Sequence, residues 1–316
     1  MRNATFRQLQ VFESIARKGS FTEAAEELFL TQPTLSMQMK KLTAIVGMPL
    51  YTQVGKKIHL TDVGQELLKT CRKVFASLDE FQMTVSDMKG VKKGNLRISG
   101  VTTGEYFVPR ILGEFCKRYP GINVALEVTN RQRVLERLED NLDDIYIVGQ
   151  APMGDHIHRV PFLDNPLVIF APPNHPLVGK RNIPIEALAN EQFIMRESGC
   201  GTYLSMDKLV KDRHFAFKSS MALGSNEAIK QAVIGGLGIS LLSLYALTHE
   251  IASGEVALLD VAGFPVHDCW YLCYPEGQQL SVVAQVFYEY MLNEGRKMTL
   301  ASLPDRSLVA SELPSP

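Results

Sequence analysis

Apolar residues in the first 60 positions recur every three or four places: Phe6, Leu9, Phe12, Ile15 and Ala16, then Phe21, Ala24, Ala25 and Leu28, then Leu35, Met39 and Leu42. That period predicts three short helices, each burying one stripe. Gly19 ends the first, and Ser20 with Glu23 three residues on has the form of a capping box for the second. Thr31 caps the third, which tolerates Pro33 in its first turn because an amide there has no partner inside the helix. Opposite its buried stripe this helix presents Gln32, Thr34, Ser36, Met37 and Lys40 beside Pro33, polar and flexible side chains at the end of a helix that would meet base edges in a major groove. Residues 49–60 predict two short strands turning near Gly55, with Lys56 and Lys57 at the tip, a wing that would hold phosphates.

From Val63 the apolar residues follow at steps of four or three, through Leu67, Cys71, Val74, Leu78, Phe81, Val85 and Met88, a seam of about four heptads. A helix over residues 62–90 would be roughly 43 Å long at about 1.5 Å per residue. Left alone, its stripe would face water, so it must pack either on the chain's own body or on a second copy. Val91, Lys92, Lys93 and Gly94 then predict a hinge.

After Asn95 the pattern changes to alternating strands and helices: a strand at 96–101, a helix at 108–118, a strand at 123–128, a helix at 131–140 and a buried strand at 145–148. This predicts an α/β body with a mostly parallel sheet. A second such unit begins at 167–171 and the chain returns at 270–274, so two crossings between lobes imply a hinged cleft. Ligands of open α/β sheets gather at strand ends and helix N-termini, where free amides attract anions. Candidate effector residues are therefore Thr102 and Thr103, Ser198, Gly199 and Thr202, and Ser225 and Asn226, with Asn130 and Gln150 joining them.

Other motifs carry less. The run Gly235-Gly236-Leu237-Gly238 follows a helix and precedes a strand, the wrong order for a dinucleotide fingerprint, and is read as a helix C-cap. His156-x-His158 and Cys269-x3-Cys273 lack further ligands at metal spacing, so no metal site is expected. No nucleophile, base and oxyanion set can be assembled from spacing, so no catalytic residue is assigned.

At 316 residues, 46% of them apolar, the chain can form two or three domains with sizeable cores. It contains no run of about 18 apolar residues and no signal-like start, which places it in the cytoplasm. Five scattered cysteines fit reduced thiols there. The net charge of −1 hides an asymmetry: residues 1–60 carry eight Lys or Arg against four Glu, residues 61–93 six against five, and the remainder is −6. A basic head on an acidic body fits a nucleic-acid module joined to a different kind of domain.

The run from Phe6 to Gly64, including Gly19-Ser20-Phe21, Ala24-Ala25, Thr31-Gln32-Pro33, Pro49-Leu50 and Leu60-Thr61-x-x-Gly64, resembles the N-terminal domain of LysR-type transcriptional regulators. It departs from the family pattern at Met37 and at Gln53, where many members carry arginine. The body is similar to the family's effector domain, a fold shared with type II periplasmic binding proteins. The runs 106–109, 141–150, 224–233 and 280–284 resemble regulators of Calvin-cycle carbon-fixation operons.

The resemblance implies a winged helix-turn-helix over residues 1–60, a dimerisation helix and hinge over 61–94, one effector lobe over 95–165 and 266–298, and a second over 166–265. Residues 299–316, rich in Ser, Leu and Pro, are expected to be disordered. The function implied is a DNA-binding regulator, not an enzyme, that activates RuBisCO genes in response to a small phosphorylated or acidic metabolite. That metabolite would be a sugar phosphate, a phosphoglycolate-like acid or a nucleotide, and no cofactor is implied. Expected partners are double-stranded promoter DNA, a second copy in a homodimer or homotetramer, the small anion and RNA polymerase, with no membrane. The alternatives are a regulator of another metabolic operon with a different anion, or a small-molecule binding protein without DNA.

Overall fold

Three helices, α1 (Phe6–Lys18), α2 (Phe21–Glu27) and α3 (Gln32–Val46), lead into a hairpin of β1 (Tyr51–Val54) and β2 (Lys57–Leu60) and then a long helix, α4 (Asp62–Met88). The computed structural model describes residues 3–54, 57–88, 93–150, 154, 156–213, 217–303, 306–310 and 313. It divides into two units, residues 1–82 and 83–316. Lys56, the hairpin tip at Gly55 and residues 91–92 of the expected hinge lie outside the described residues.

The core of the first unit joins Val11, Phe12 and Ile15 to Ala24, Ala25, Leu35, Met39 and Leu42, and closes with Leu50, Ile58, Leu67 and Cys71. Phe6, expected on the buried stripe of α1, is instead 44% exposed, because the inward face runs through Gln8 and Val11. It packs edge-to-face on Phe75 of α4 at 5.1 Å between ring centroids. At Ser20 only half of the expected box forms: its hydroxyl accepts from the Glu23 amide at 3.4 Å. The complete box is at Thr5 and Gln8.

The heptad seam of α4 is divided between two uses. Leu67 and Cys71 are buried against the three helices, while Val74, Leu78 and Phe81 are 37%, 45% and 65% exposed. Val85 and Met88 lie outside the residues whose side chains are described.

Thr61-x-x-Gly64 has a physical reason. The Thr61 hydroxyl donates to the Pro49 carbonyl at 2.7 Å and accepts from the Gly64 amide at 3.1 Å, while the Thr61 amide donates to the Leu50 carbonyl at 3.1 Å. A Cβ on Gly64 would stand 2.0 Å from the Leu50 oxygen. Gly64→Ala is therefore expected to destabilise residues 1–82 by about 2–4 kcal/mol. Urea unfolding of the variant checks this, and an unshifted midpoint would mean that α4 and Leu50 separate without cost.

The second unit comprises β3 (Gly94–Val101), α5 (Val108–Arg118), β4 (Ile122–Thr129), α6 (Arg131–Glu139), β5 (Ile145–Gly149) and β6 (Ile157–Ala171). It continues through β7 (Gln192–Arg196), α7 (Gly201–Arg213), β8 (Lys218–Leu223), α8 (Asn226–Ile234), β9 (Ile239–Ser243), α9 (Thr248–Ser253), β10 (Ala257–Leu258), β11 (Val266–Pro275), α10 (Val282–Tyr290) and α11 (Arg296–Ala301). Its sheet runs β4-β3-β5-β11-β6-β9-β7-β8, with β10 added to β6.

Pairing is parallel among β3, β4 and β5 and again among β7, β8 and β9. The two central strands, β6 and β11, pair antiparallel with each other and with their neighbours β9 and β5. The sheet is thus less parallel than its βα rhythm predicts, because the two segments that cross between lobes run in opposite directions. One cluster gathers Ile98, Phe115, Ile147, Trp270 and Phe287, and a second gathers Leu167, Ile169, Phe193, Leu241 and Val261.

The expected disordered tail is ordered where the structure describes it. Thr299 is buried in α11 with its hydroxyl donating to the Gly295 carbonyl at 2.8 Å. Leu303, Leu308 and Val309 pack on the larger core, and the Ala310 amide donates to Asp164 at 2.8 Å. A Ser- and Pro-rich composition conceals apolar anchors at Leu303 and at the adjacent pair Leu308 and Val309.

Candidate functional site

Two regions collect the candidate residues. In the first unit, the Thr31 hydroxyl accepts from the Thr34 amide at 3.4 Å and fixes the start of α3. With Leu35, Met39 and Leu42 buried, Gln32, Pro33 and Lys40 are exposed, Met37 is 48% exposed, and Thr34 and Ser36 are half-buried. One face of α3 is therefore polar and accessible from its first turn onward. In the same unit, the hairpin pairs Gln53 with Ile58 and Val54 with Lys57. Ile58 is buried, and its amide donates to the Gly19 carbonyl at 3.0 Å, leaving Lys57 exposed on the strand.

In the second unit, carboxyl ends of strands and N-termini of helices converge on a cavity of ≈ 30 Å³. The turn after β3 supplies Thr102 and Thr103, the start of α6 supplies Asn130 and Arg131, the end of β7 supplies Arg196, and the start of α7 supplies Cys200, Gly201 and Thr202. Asn165 of β6 and Asp268 and Trp270 of β11 form the wall between the lobes, with Gly149 at the end of β5.

Of the expected effector residues, Thr102, Thr103, Asn130 and Thr202 line this cavity. Asn130 also caps α6, accepting from the Arg133 amide at 2.9 Å. Gln150 stands behind the wall, donating to Ser205 and to the Gly201 carbonyl. Asn226 is buried, accepting from Arg196 and donating to Thr103 at 3.4 Å. Ser198 and Gly199 are exposed and not among the lining residues, and Ser225 is an exposed cap for α8, accepting from the Ala228 amide at 3.1 Å. Arg131, Asp268 and Trp270 fall outside the candidate segments, while Arg196 opens the glycine-rich stretch 196–202 without being singled out as an effector residue. Their only sequence signals were an arginine closing an apolar strand and a lone tryptophan in an apolar run.

The electrostatics of the cavity favour an anion. Arg196 is 4% exposed. Burial works against its charge, but Glu197 outweighs this and holds the guanidinium above its ordinary pKa. Its Nε and Nη2 donate to the two Glu197 oxygens at 2.8 Å each. Arg131 Nε and Trp270 Nε1 are buried donors without a hydrogen-bond partner in the structure. A buried orphan donor costs about 1–3 kcal/mol, so two of them on residues that line one cavity mark a place for an acceptor.

On β11, burial pushes the Asp268 carboxyl up, against donation from Ser205 at 2.7 Å and the Cys269 amide at 3.0 Å. Burial also pushes the Cys200 thiol up, keeping it protonated and unreactive at neutral pH. Tyr106 donates to Glu227 at 2.7 Å, a second bond between the turn after β3 and α8.

The remaining motifs lie elsewhere. His158 stacks on Tyr274 at 4.4 Å and lies 3.6 Å from Glu276. Among the described residues, no group of three or more His, Cys, Asp or Glu is placed to hold a metal ion. No helix among them is long and apolar enough to cross a membrane.

Comparison with known proteins matches residues 6–65 to the domain described as "Bacterial regulatory helix-turn-helix protein, lysR family" and residues 89–296 to "LysR substrate binding domain". The chain is 50% identical over 303 residues to the HTH-type transcriptional activator CmpR of Synechocystis sp., covering 96% of this chain and 100% of CmpR. It is 43% identical over 291 residues to the RuBisCO operon transcriptional regulator of Acidithiobacillus ferrooxidans, covering 92% and 94%. Among solved structures, it is similar to the regulatory domain of Synechocystis PCC6803 CcmR in complex with 2-PG, with 47% identity and a TM-score of 0.62 over 65% of this chain and 98% of that one.

Proposed function

The chain belongs to the LysR family of DNA-binding transcriptional regulators, and from that premise we propose that it controls carbon-fixation genes, those of RuBisCO first, in response to a small phosphorylated or acidic metabolite. It is a regulator and not an enzyme. The observation that carries the effector reading is the pair of buried, unpartnered donors of Arg131 and Trp270 in a cavity that Arg196 also lines. The CcmR regulatory domain in complex with 2-PG (2-phosphoglycolate), and the relatives named for RuBisCO operons, support both the class of ligand and the target.

In this reading Gln32, Pro33, Thr34, Ser36, Met37 and Lys40 enter the major groove, and Lys57, with Lys56 beside it in sequence, holds phosphates. Met37 in place of arginine removes a strong donor to guanine, so this position contributes apolar contact at most. Two recognition helices must be held together for a palindromic site, and the exposed half of the α4 seam, at Val74, Leu78 and Phe81, is the surface for a second copy. Assembly to a tetramer, contact with RNA polymerase and a cytoplasmic location belong to the same proposal.

The cavity of ≈ 30 Å³ holds about two water molecules, so a metabolite enters only when the lobes part or side chains move. A ligand that binds one cleft geometry better than another shifts the population toward it, and that differential is the signal available to the operator.

The test is footprinting of the purified protein on carbon-fixation promoter fragments, with and without 2-phosphoglycolate. The expected result is a protected two-fold-related site whose extent changes with the metabolite. Protection that is unaltered by any phosphorylated metabolite would move the effector to another class of anion. Loss of preference for promoter over random duplex would remove the DNA reading altogether.

A further inference from the structure

We propose that Glu197 is a built-in competitor of the effector, a carboxylate that occupies the guanidinium fork of Arg196 and must yield it when an anion binds. This rests on the reading above, that the cavity takes a phosphorylated or acidic metabolite.

The geometry is that of an anion already in place. Both Glu197 oxygens sit 2.8 Å from donors on one edge of the guanidinium, Nε and Nη2, the parallel pair that arginine offers to a carboxylate or phosphate. The third donor in use, Nη1, goes to Asn226, which ties Arg196 through its own amide to Thr103 in the turn after β3. Arg196 is thus fixed from behind by Asn226 and neutralised along its edge by its neighbour in sequence.

The two partners differ in freedom. The Arg196 side chain is 2% exposed and the Glu197 side chain 34%. The guanidinium is enclosed and also bonded to Asn226, so it cannot move without leaving that buried amide unpaired, whereas a carboxylate one-third in water rotates outward and is rehydrated. Glu197 is the movable member. It also precedes Ser198 and Gly199, which are exposed, so the chain there presents its side to solvent.

Arg196 lines the cavity, as does Arg131, and Glu197 is not among the lining residues. A phosphate in the cavity faces both arginines and carries about −1.5 to −2 charges near neutral pH, more than the single charge of a carboxylate. It therefore outcompetes Glu197 where a weaker anion does not. Glu197 sets how much anion is needed before the site fills, by holding back part of the attraction of Arg196.

The experiment uses the full chain and 2-phosphoglycolate, titrated by calorimetry and by the fluorescence of Trp270, the single tryptophan and a lining residue of the cavity. Glu197→Gln keeps the shape and removes the charge, and is expected to bind about tenfold tighter at low ionic strength. Glu197→Asp, too short to span both donors, is expected to fall between the two. Equal or weaker binding by both variants overturns the proposal, since Glu197 would then be a support that orients Arg196. A wild-type chain that binds neither 2-phosphoglycolate nor any other phosphorylated metabolite overturns the effector reading itself and this proposal with it.

Discussion

Aspartate at both Leu78 and Phe81 is expected to turn the protein into monomers and to lower its operator affinity by roughly 10²- to 10⁴-fold, the factor lost when two linked binding events become one. These side chains are 45% and 65% exposed on α4, and with Phe6, Phe75 and Arg7 they line an open groove of ≈ 630 Å³ between α1 and α4. Burying each in a partner would contribute about 1.5–3 kcal/mol, and a charge in its place would have to be desolvated instead. Because the buried half of the seam, Leu67 and Cys71, is untouched, residues 1–82 should keep their fold. Light scattering and gel-shift titration read the two effects separately. A doubly substituted protein that remains dimeric with full operator affinity would place the dimer surface elsewhere.

Arg131→Met is expected to abolish the metabolite response, with effector affinity falling roughly 100-fold and operator binding retained. Charge-assisted hydrogen bonds contribute about 1.5–3 kcal/mol each, and a bidentate arginine makes two. Methionine keeps much of the side-chain stem, and since Nε has no partner to lose, removing it should leave the melting temperature unchanged or slightly raised. The contrast with Arg196 is informative: Arg196 is bonded to Glu197 and Asn226, so its removal would mix a binding loss with a structural one. Unaltered 2-phosphoglycolate binding by the Arg131 variant would mean that the orphan donor is not part of the site.

The local order of elements was legible in the chain because it depends on near neighbours. The 3.6-residue spacing of Phe12, Ile15, Leu35, Met39 and Leu42, the capping hydroxyls of Ser20 and Thr31 and the αL glycines Gly19 and Gly47 place α1 to α3 without help from the rest of the molecule. The same holds for the strand and helix rhythm after Asn95, and for the threonines and the asparagine at strand ends, because a free helix N-terminus is a property of its own first turn.

What the periodicity left open was which partner each apolar stripe meets. The seam of α4 reads as one continuous surface from Val63 to Met88, yet tertiary packing assigns Leu67 and Cys71 inward and leaves Val74, Leu78 and Phe81 outward. A heptad pattern records that a face is apolar and carries no record of what covers it. The antiparallel centre of the sheet, β6 against β11, is likewise set by two segments about a hundred positions apart in sequence.

The chain by itself determined the family, the three helices and the hairpin of the first unit, and the strand ends that gather at the cavity. The tertiary structure alone decided that Arg131, Arg196 and Trp270 line one cavity, that Ser198, Gly199 and Ser225 do not, and that residues 299–303 and 306–310 are packed. The reason is the same in each case: capping and periodicity act within a turn or two of chain, whereas burial of a charge or an indole donor depends on side chains contributed from several strands and helices at once.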